Sequence, residues 1–285
     1  MKKIFLLLLF SVITNLSSQM VVTYRGGENE HDKRMEYPVK LITTALEITK
    51  SEYGNYTLVP SARMNSKRAM NTLIKDTIPN FIVEASVTEE NEKNLLSIKI
   101  PTTKGLFGYR IFLINKENQT LFNNINTFED LKKIRLGQGN TWLDTKILES
   151  YKLSVVKGLT YDGLLRMLSS KRFDAFPRGV HEAYKELKNR QFEHSELAIE
   201  QNICIYYPLP KFLYTSKNSI LLHERISKGL NMMLEDGSFD KIWKEYNYDY
   251  VLNAKLNSRK IFKLENPFLP DTVPLNNNEL WFSIE

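Results

Sequence analysis

Two periods of hydrophobic residues alternate along the chain. Short β-rich runs with outward turns are separated by stretches in which apolar residues recur every three or four positions, the spacing of one helix face. Val21–Tyr24 reads as a strand running into Arg25-Gly26-Gly27, and a helix is predicted from about Tyr37 to Lys50 on the stripe Val39, Ile42, Leu46 and Ile48. A strand at Tyr56–Val59, a helix from about Ser66 to Lys75 and a strand at Phe81–Ala85 follow. Strands separated by helices of this length imply βαβ units and a mostly parallel sheet.

The alternation restarts after Gly108. Tyr109–Ile114 is a predicted strand, Thr127–Asp130 a capping box, Ile134–Leu136 a strand, and Thr141–Asp144 a second capping box opening a helix to about Tyr151. Leu153–Val156, a helix over Asp162–Ser170 and a strand at Phe173–Phe176 complete a second α/β unit. An extended run, Ile203–Thr215, precedes two helices, about His223–Leu234 and Phe239–Tyr246. Beyond Tyr250 the prolines 267, 270 and 274 and Asn276–Asn278 predict a wrapping tail with little regular structure, whose Trp281 and Phe282 pack back on a lobe.

The first residues bring in composition. Met1-Lys2-Lys3 followed by the apolar run Ile4–Ile13 and small polar residues reads as a secretory signal over residues 1–19, and its apolar run is too short to span a bilayer. Removing it leaves 37 basic and 33 acidic residues, a net charge of +4. That excess is spread out, unlike the clustered basic face of a nucleic-acid binder. A single cysteine, Cys204, in the apolar context Ile203-Cys204-Ile205, excludes an internal disulfide, and none stands near the signal to take a lipid. The expectation is a monomer in the periplasm, exported and not lipid-anchored.

At this point the ordered motifs Thr88-Glu-Glu-Asn91, Gly137-Gln-Gly-Asn-Thr141, Phe173-Asp-Ala-Phe-Pro-Arg178 and Asp236-Gly-Ser-Phe-Asp-Lys-Ile-Trp-Lys-Glu-Tyr246 together resemble the bacterial extracellular solute-binding proteins of family 3, the amino-acid-transporter type, over about residues 20–250. The resemblance implies a type 2 periplasmic-binding fold, two α/β lobes joined by two hinge strands, with residues 20–108 and 216–285 forming lobe 1 and its C-terminal extension and residues 109–215 lobe 2. It also implies closure on a small solute that is passed to a membrane permease, or sensed for a membrane receptor such as a sensor kinase. No cofactor, metal or nucleic acid is expected. In such relatives an Arg ends the Thr-x-x-Arg motif and grips a carboxylate, and an acid after the Asp-Ala strand holds an ammonium. Here those places read Asn91 and the run Phe176-Pro-Arg178-Gly179, so an anionic solute is expected in place of a plain α-amino acid.

Ligands of open α/β sheets sit beyond the carboxyl ends of the strands, which selects the candidate contacts. Arg25 and Arg178 follow strands of the two lobes and offer guanidinium forks to a carboxylate or phosphate. The competing reading pairs Arg25 with Glu28 or Glu30 and Arg178 with Glu182. Asn140 and Thr141 open a helix whose first N–H groups form an anion site, and Trp142 is either a cleft wall or a core residue. Ser61, Asn65 and Arg68 follow the second strand, and Glu84 and Ser86 end the third. An enzyme on the same fold, a dehydratase of cyclic acids, would need Glu84 or His181 as its proton-transfer group; the chain has no HExxH, GxSxG or P-loop motif.

Overall fold

The computed structural model describes residues 19–28 and 32–284. The expected signal, and the alternative partner Glu30 for Arg25, lie outside the described residues. The strands run β1 (Met20–Tyr24), β2 (Tyr56–Pro60), β3 (Phe81–Ser86), β4 (Leu96–Ile98), β5 (Tyr109–Asn115), β6 (Arg135–Gly139), β7 (Ser154–Gly158), β8 (Ala175–Gly179), β9 (Leu197–Ile199), β10 (Ile203–Tyr206), β11 (Lys211–Thr215) and β12 (Lys260–Lys263).

They form two sheets. The first has the order β2-β1-β3-β11-β4, and the second β12-β10-β5-β8-β6-β7 with β9 beside β5. β1 pairs in parallel with β2 and β3, and β6 with β7 and β8, as the βαβ spacing predicts. The exceptions are the strands next to the crossings: β11 runs antiparallel to β3 and β4, and β5 antiparallel to β8 and β10. The chain leaves the first sheet after β4 and returns between β10 and β11. The extended run Ile203–Thr215 is therefore two strands in different sheets, broken where Pro208 and Pro210 withhold ladder N–H groups.

Helices cover the sheets with their apolar stripes. Glu36–Ile48 buries Leu41, Ile42, Ala45 and Leu46, and Tyr161–Ser169 buries Leu164, Leu165 and Leu168. Each such fully buried leucine contributes about 1.5–3 kcal/mol. One apolar cluster belongs to the first lobe, around Phe81 and Phe212, and one to the second, around Phe112 and Phe122. The largest runs through the crossing, joining Leu41 and Ile226 of one lobe to Phe173 and Phe176 of the other past Leu106 and Tyr109.

The C-terminal part departs from the expected assignment of 216–285 to lobe 1. The last long helix extends over Ser238–Ala254 and reaches the second lobe, where Asn253 accepts a hydrogen bond from the Tyr184 hydroxyl. β12 then pairs in parallel with β10, so it belongs to the second sheet. A buried ion pair fixes this junction: Arg259 meets Glu200 at 3.3 Å, and Glu200 also accepts the Asn202 and Ile203 N–H groups at 2.6 and 2.9 Å. Only afterwards does the tail return to lobe 1, with Val273 in its apolar cluster, Trp281 over Gly105, and Phe282 stacked on Trp243 at 5.4 Å. The inward packing of Trp281 and Phe282 matches the sequence expectation. Cys204 is fully buried, and burial pushes its thiol up to about 12.

Candidate functional site

The described residues form two depressions of note. A groove of about 430 Å³ runs along Asn65, Arg68 and Thr72, on one helix of lobe 1 and its following loop. A smaller cavity of about 190 Å³ lies at the hinge, lined by Ser86 and Lys211 of the first sheet, Phe107 and Leu209 of the two crossings, and Arg110, Asp144, His181 and Glu182 of lobe 2. The second is the candidate site, because groups from both lobes and both crossings converge on it, the arrangement that hinge closure on a ligand requires. The groove is the larger, but a single lobe builds it.

The lobe 2 wall is an ion network. Arg110, the one charged residue of β5, pairs with Asp144 at 2.8 Å and Glu182 at 3.4 Å, and lies over the Tyr207 ring, whose hydroxyl donates to Asp144. Glu182 caps its own helix, Val180–Arg190, by accepting the Gly179 N–H at 2.9 Å. Gly179 has to be glycine: a Cβ there would stand 2.6 Å from the His181 ring and 3.1 Å from Arg110. Burial alone would raise the Glu182 carboxyl, but the charges of Arg178 and Arg110 and the Gly179 N–H, joined by His181 once it is protonated in acid, outweigh it and hold it at about 2. Burial drives the His181 imidazole the other way, down to about 3 against the pull of Glu182. His181 is thus neutral, and it stacks on Phe107 with ring centroids 3.5 Å apart.

The sequence-predicted residues divide. Arg178 is buried, forks Glu186 at 2.6 and 2.8 Å, touches Glu182 at 3.2 Å and lies over Trp142 at 5.1 Å. Arg25 donates to Met64 O, Ser66 Oγ and Glu28, clamping the loop after β2. For both arginines the local-acid reading holds, so neither is the free fork on which the anionic solute rested. Ser61 Oγ accepts the Gly26 N–H. Asn65 caps the helix Ser66–Ile74 by accepting the Arg68 N–H, and Arg68 is exposed on the groove. Glu84 lies just behind the cavity, holding a 2.7 Å bond from Thr102 and standing 3.7 Å from the cavity-lining Lys211.

The second capping box does not form. The helix is Leu143–Ser150 with Trp142 at its N-cap and no side-chain cap, while Asn140 and Thr141 are exposed. The Gly139 carbonyl closes the turn instead, accepting Trp142 N–H and the Thr145 hydroxyl, which leaves Asp144 free to face Arg110. Trp142 packs on Gly139, where a Cβ would stand 2.4 Å from the indole, and is stacked on Phe176. By contrast the first box, Thr127 with Asp130, is present as predicted.

Sequence reasoning missed Arg110, Asp144, Glu182 and Lys211 as a group. Two had a visible signal: a lone arginine in an apolar strand, and a lysine opening the strand after Pro210.

No protein-family model matches the chain, and no curated protein matches it. Solved structures do. The probable amino-acid ABC transporter extracellular-binding protein ytmK of Bacillus subtilis matches with a TM-score of 0.59 at 18% identity, over 80% of this chain and 97% of that one. An ancestral arginine-binding protein bound to arginine matches with a TM-score of 0.51 at 19% identity, over 80% and 98%. A Salmonella typhimurium periplasmic binding protein of high arginine specificity matches with a TM-score of 0.53 at 14% identity, over 80% and 99%. The fold is that of the type 2 periplasmic-binding proteins. At these identities the likeness is one of architecture, and it agrees with the sheet orders and paired crossings described above. Among the described residues no helix is long and apolar enough to cross a membrane, and no group of His, Cys, Asp and Glu is arranged to hold a metal.

Proposed function

We propose that the protein is a periplasmic solute-binding protein that closes on a small solute at the hinge and delivers it to a membrane transporter, acting as a monomer without a lipid anchor. The observation that carries this reading is the hinge cavity, lined from both lobes and both crossings. At about 190 Å³ it is smaller than the roughly 300–1,000 Å³ of drug-sized pockets, which suits a compact solute. Proteins of the same fold bind amino acids, arginine among them. The charges in and behind the cavity bear on the solute's character: Arg110, Arg178 and Lys211 face Asp144, Glu182, Glu186 and Glu84. Three cations against four carboxylates favour a solute that carries an amine as well as an anionic group over a purely anionic one. A lyase-type activity is disfavoured because an imidazole at about 3 is too weak a base to take a proton near neutral pH, and Glu84 already holds the Thr102 hydroxyl.

Thermal-shift screening against amino acids, organic acids and short peptides tests the reading. A true solute at 100 times its Kd stabilises by about 2.7 kcal/mol. If no solute raised the melting temperature and the purified protein instead turned over a substrate, the binding role would be wrong.

A further inference from the structure

The charged groups that line the hinge cavity are bonded to one another, with one exception. Arg110 is held by Asp144 and Glu182, Asp144 also takes the Tyr207 hydroxyl, and Glu182 also takes the Gly179 N–H. Lys211 stands apart. Its Nζ is 3.7 Å from Glu84 Oε2, beyond hydrogen-bond reach, and 4.4 Å from the centre of the Phe107 ring. Glu84 does not depend on it, because Thr102 donates to Glu84 Oε1 at 2.7 Å.

Ser86 sits directly opposite Lys211 in the antiparallel pairing of β3 with β11, and both line the cavity. Among the described residues, neither Lys211 Nζ nor Ser86 Oγ donates a hydrogen bond. The backbone beneath them is fixed all the same, since the Lys211 carbonyl accepts both the N–H and the hydroxyl of Thr102, at 3.0 and 3.2 Å. A strand pair thus presents an ammonium and a hydroxyl, both with unfilled donors, to a cavity in which Arg110 Nε is also buried without a hydrogen-bond partner among the described residues. Charge-assisted hydrogen bonds are the strong ones, so the group these donors select is an anionic oxygen.

We propose that Lys211 and Ser86 form the anion-accepting corner of the cleft and bind the carboxylate of the solute from lobe 1. The inference rests on the solute-binding reading and names the solute group recognised at that site. On binding, Lys211 turns from the Phe107 ring toward the carboxylate, and the ring, stacked with His181 at 3.5 Å, packs against the body of the solute.

The probe is sodium acetate, titrated into protein labelled at lysine side chains and backbone amides and followed by NMR at constant ionic strength, with sodium chloride as the balance. Acetate is expected to shift the Lys211 side-chain signal and the Ser86 amide saturably. Lys211→Met should weaken that response about tenfold or more, and Lys211→Arg should retain it. No saturable response at Lys211, or an equal acetate response in Lys211→Met, overturns the proposal. Amino acids and organic acids screened in the same spectra separate the two readings. A solute that closes the lobes equally well in Lys211→Met leaves solute binding standing and removes the anion corner. An acetate response without any solute closing the lobes removes the transport role and leaves the corner.

Discussion

The two lobes hold their buried arginines in opposite ways. In lobe 2, Arg110, Arg178 and Arg259 are each met by carboxylates, from Asp144, Glu182, Glu186 and Glu200. In lobe 1, Arg225 is fully buried yet among the described residues bonds only neutral groups, donating to Thr49 Oγ1 and to the carbonyls of Leu46 and Gly54, with the Tyr53 and Tyr56 rings alongside. Arg25 likewise holds Met64 O and Ser66 Oγ, its one acid among the described residues being the part-exposed Glu28. The difference teaches where sensitivity to charge resides. Lobe 2 presents a wall whose ionic groups are paired with one another, Arg110 Nε alone of its guanidinium being left without a hydrogen bond, whereas lobe 1 presents a lysine and a serine with no hydrogen bond to hold them among the described residues. A cleft built this way has one largely preformed side and one side that still has most of its bonds to make.

The largest test of this contrast is Glu200→Ala. It strips Arg259 of its counter-charge and the Asn202 and Ile203 N–H groups of their acceptor, and removing one partner of a buried pair costs about 3–5 kcal/mol. Urea unfolding measures it, and a loss below about 1 kcal/mol would mean that the pair is not the anchor of β12. Glu200→Gln, which keeps acceptors but no charge, should lose less.

Acid should separate the lobes next. His181 has its pKa lowered on folding from 6.5 to about 3, so the unfolded chain takes up a proton the folded one refuses. Its contribution to stability is complete above pH 6.5 and declines as pH falls toward 3, steepening the slope by up to one proton, about 1.4 kcal/mol per pH unit. Glu182, lowered from 4.5 to about 2, acts with the same sign: its contribution is present above pH 4.5 and fades as pH falls through 2. Hydrogen exchange at pH 4.5 against pH 7 should show lobe 2 amides losing protection first. In His181→Gln the slope between pH 6.5 and 4.5 should flatten, and an unchanged slope would place the proton uptake elsewhere.

Arg225→Met is the lobe 1 counterpart. It leaves the Leu46 and Gly54 carbonyls short of a donor but strands no charge, so a loss of about 1–3 kcal/mol is expected, below that of Glu200→Ala in the same urea assay. Equal or reversed costs would erase the distinction between neutral and ionic clamps.

How much of this was legible in the sequence follows from the range of each interaction. The βαβ alternation and the Thr127 capping box are local patterns, and the chain follows them. The paired acids beside Arg25 and Arg178 were visible as near neighbours, though Glu186, the tighter partner of Arg178, lies a further turn along its helix. The hinge cavity was not legible, because it joins Ser86, Arg110, Asp144 and Lys211 across the fold, and because Asp144 has the spacing of a cap residue. Thr141 lost that cap to a carbonyl, Gly139 O, whose availability depends on a Trp142 ring packed where only glycine leaves room. The chain's third passage between lobes, into β12, likewise depends on Glu200 and Arg259, far apart in sequence and carrying no motif.

The smallest expected effect is also the one that most sharpens the comparison of the two walls. Lys211→Met removes an ammonium that among the described residues has no hydrogen bond and a single 3.7 Å carboxylate neighbour, so stability in urea should change by no more than about 0.5 kcal/mol. Asp144→Asn on the facing wall weakens the 2.8 Å bond to a buried arginine and should cost measurably more. If Lys211→Met instead destabilised as much as Asp144→Asn, Lys211 would be a structural clamp like Arg110, and lobe 1 would have no loose cation to offer a solute. A near-zero stability change together with weakened acetate binding is the pattern that assigns rigidity to lobe 2 and first capture to lobe 1.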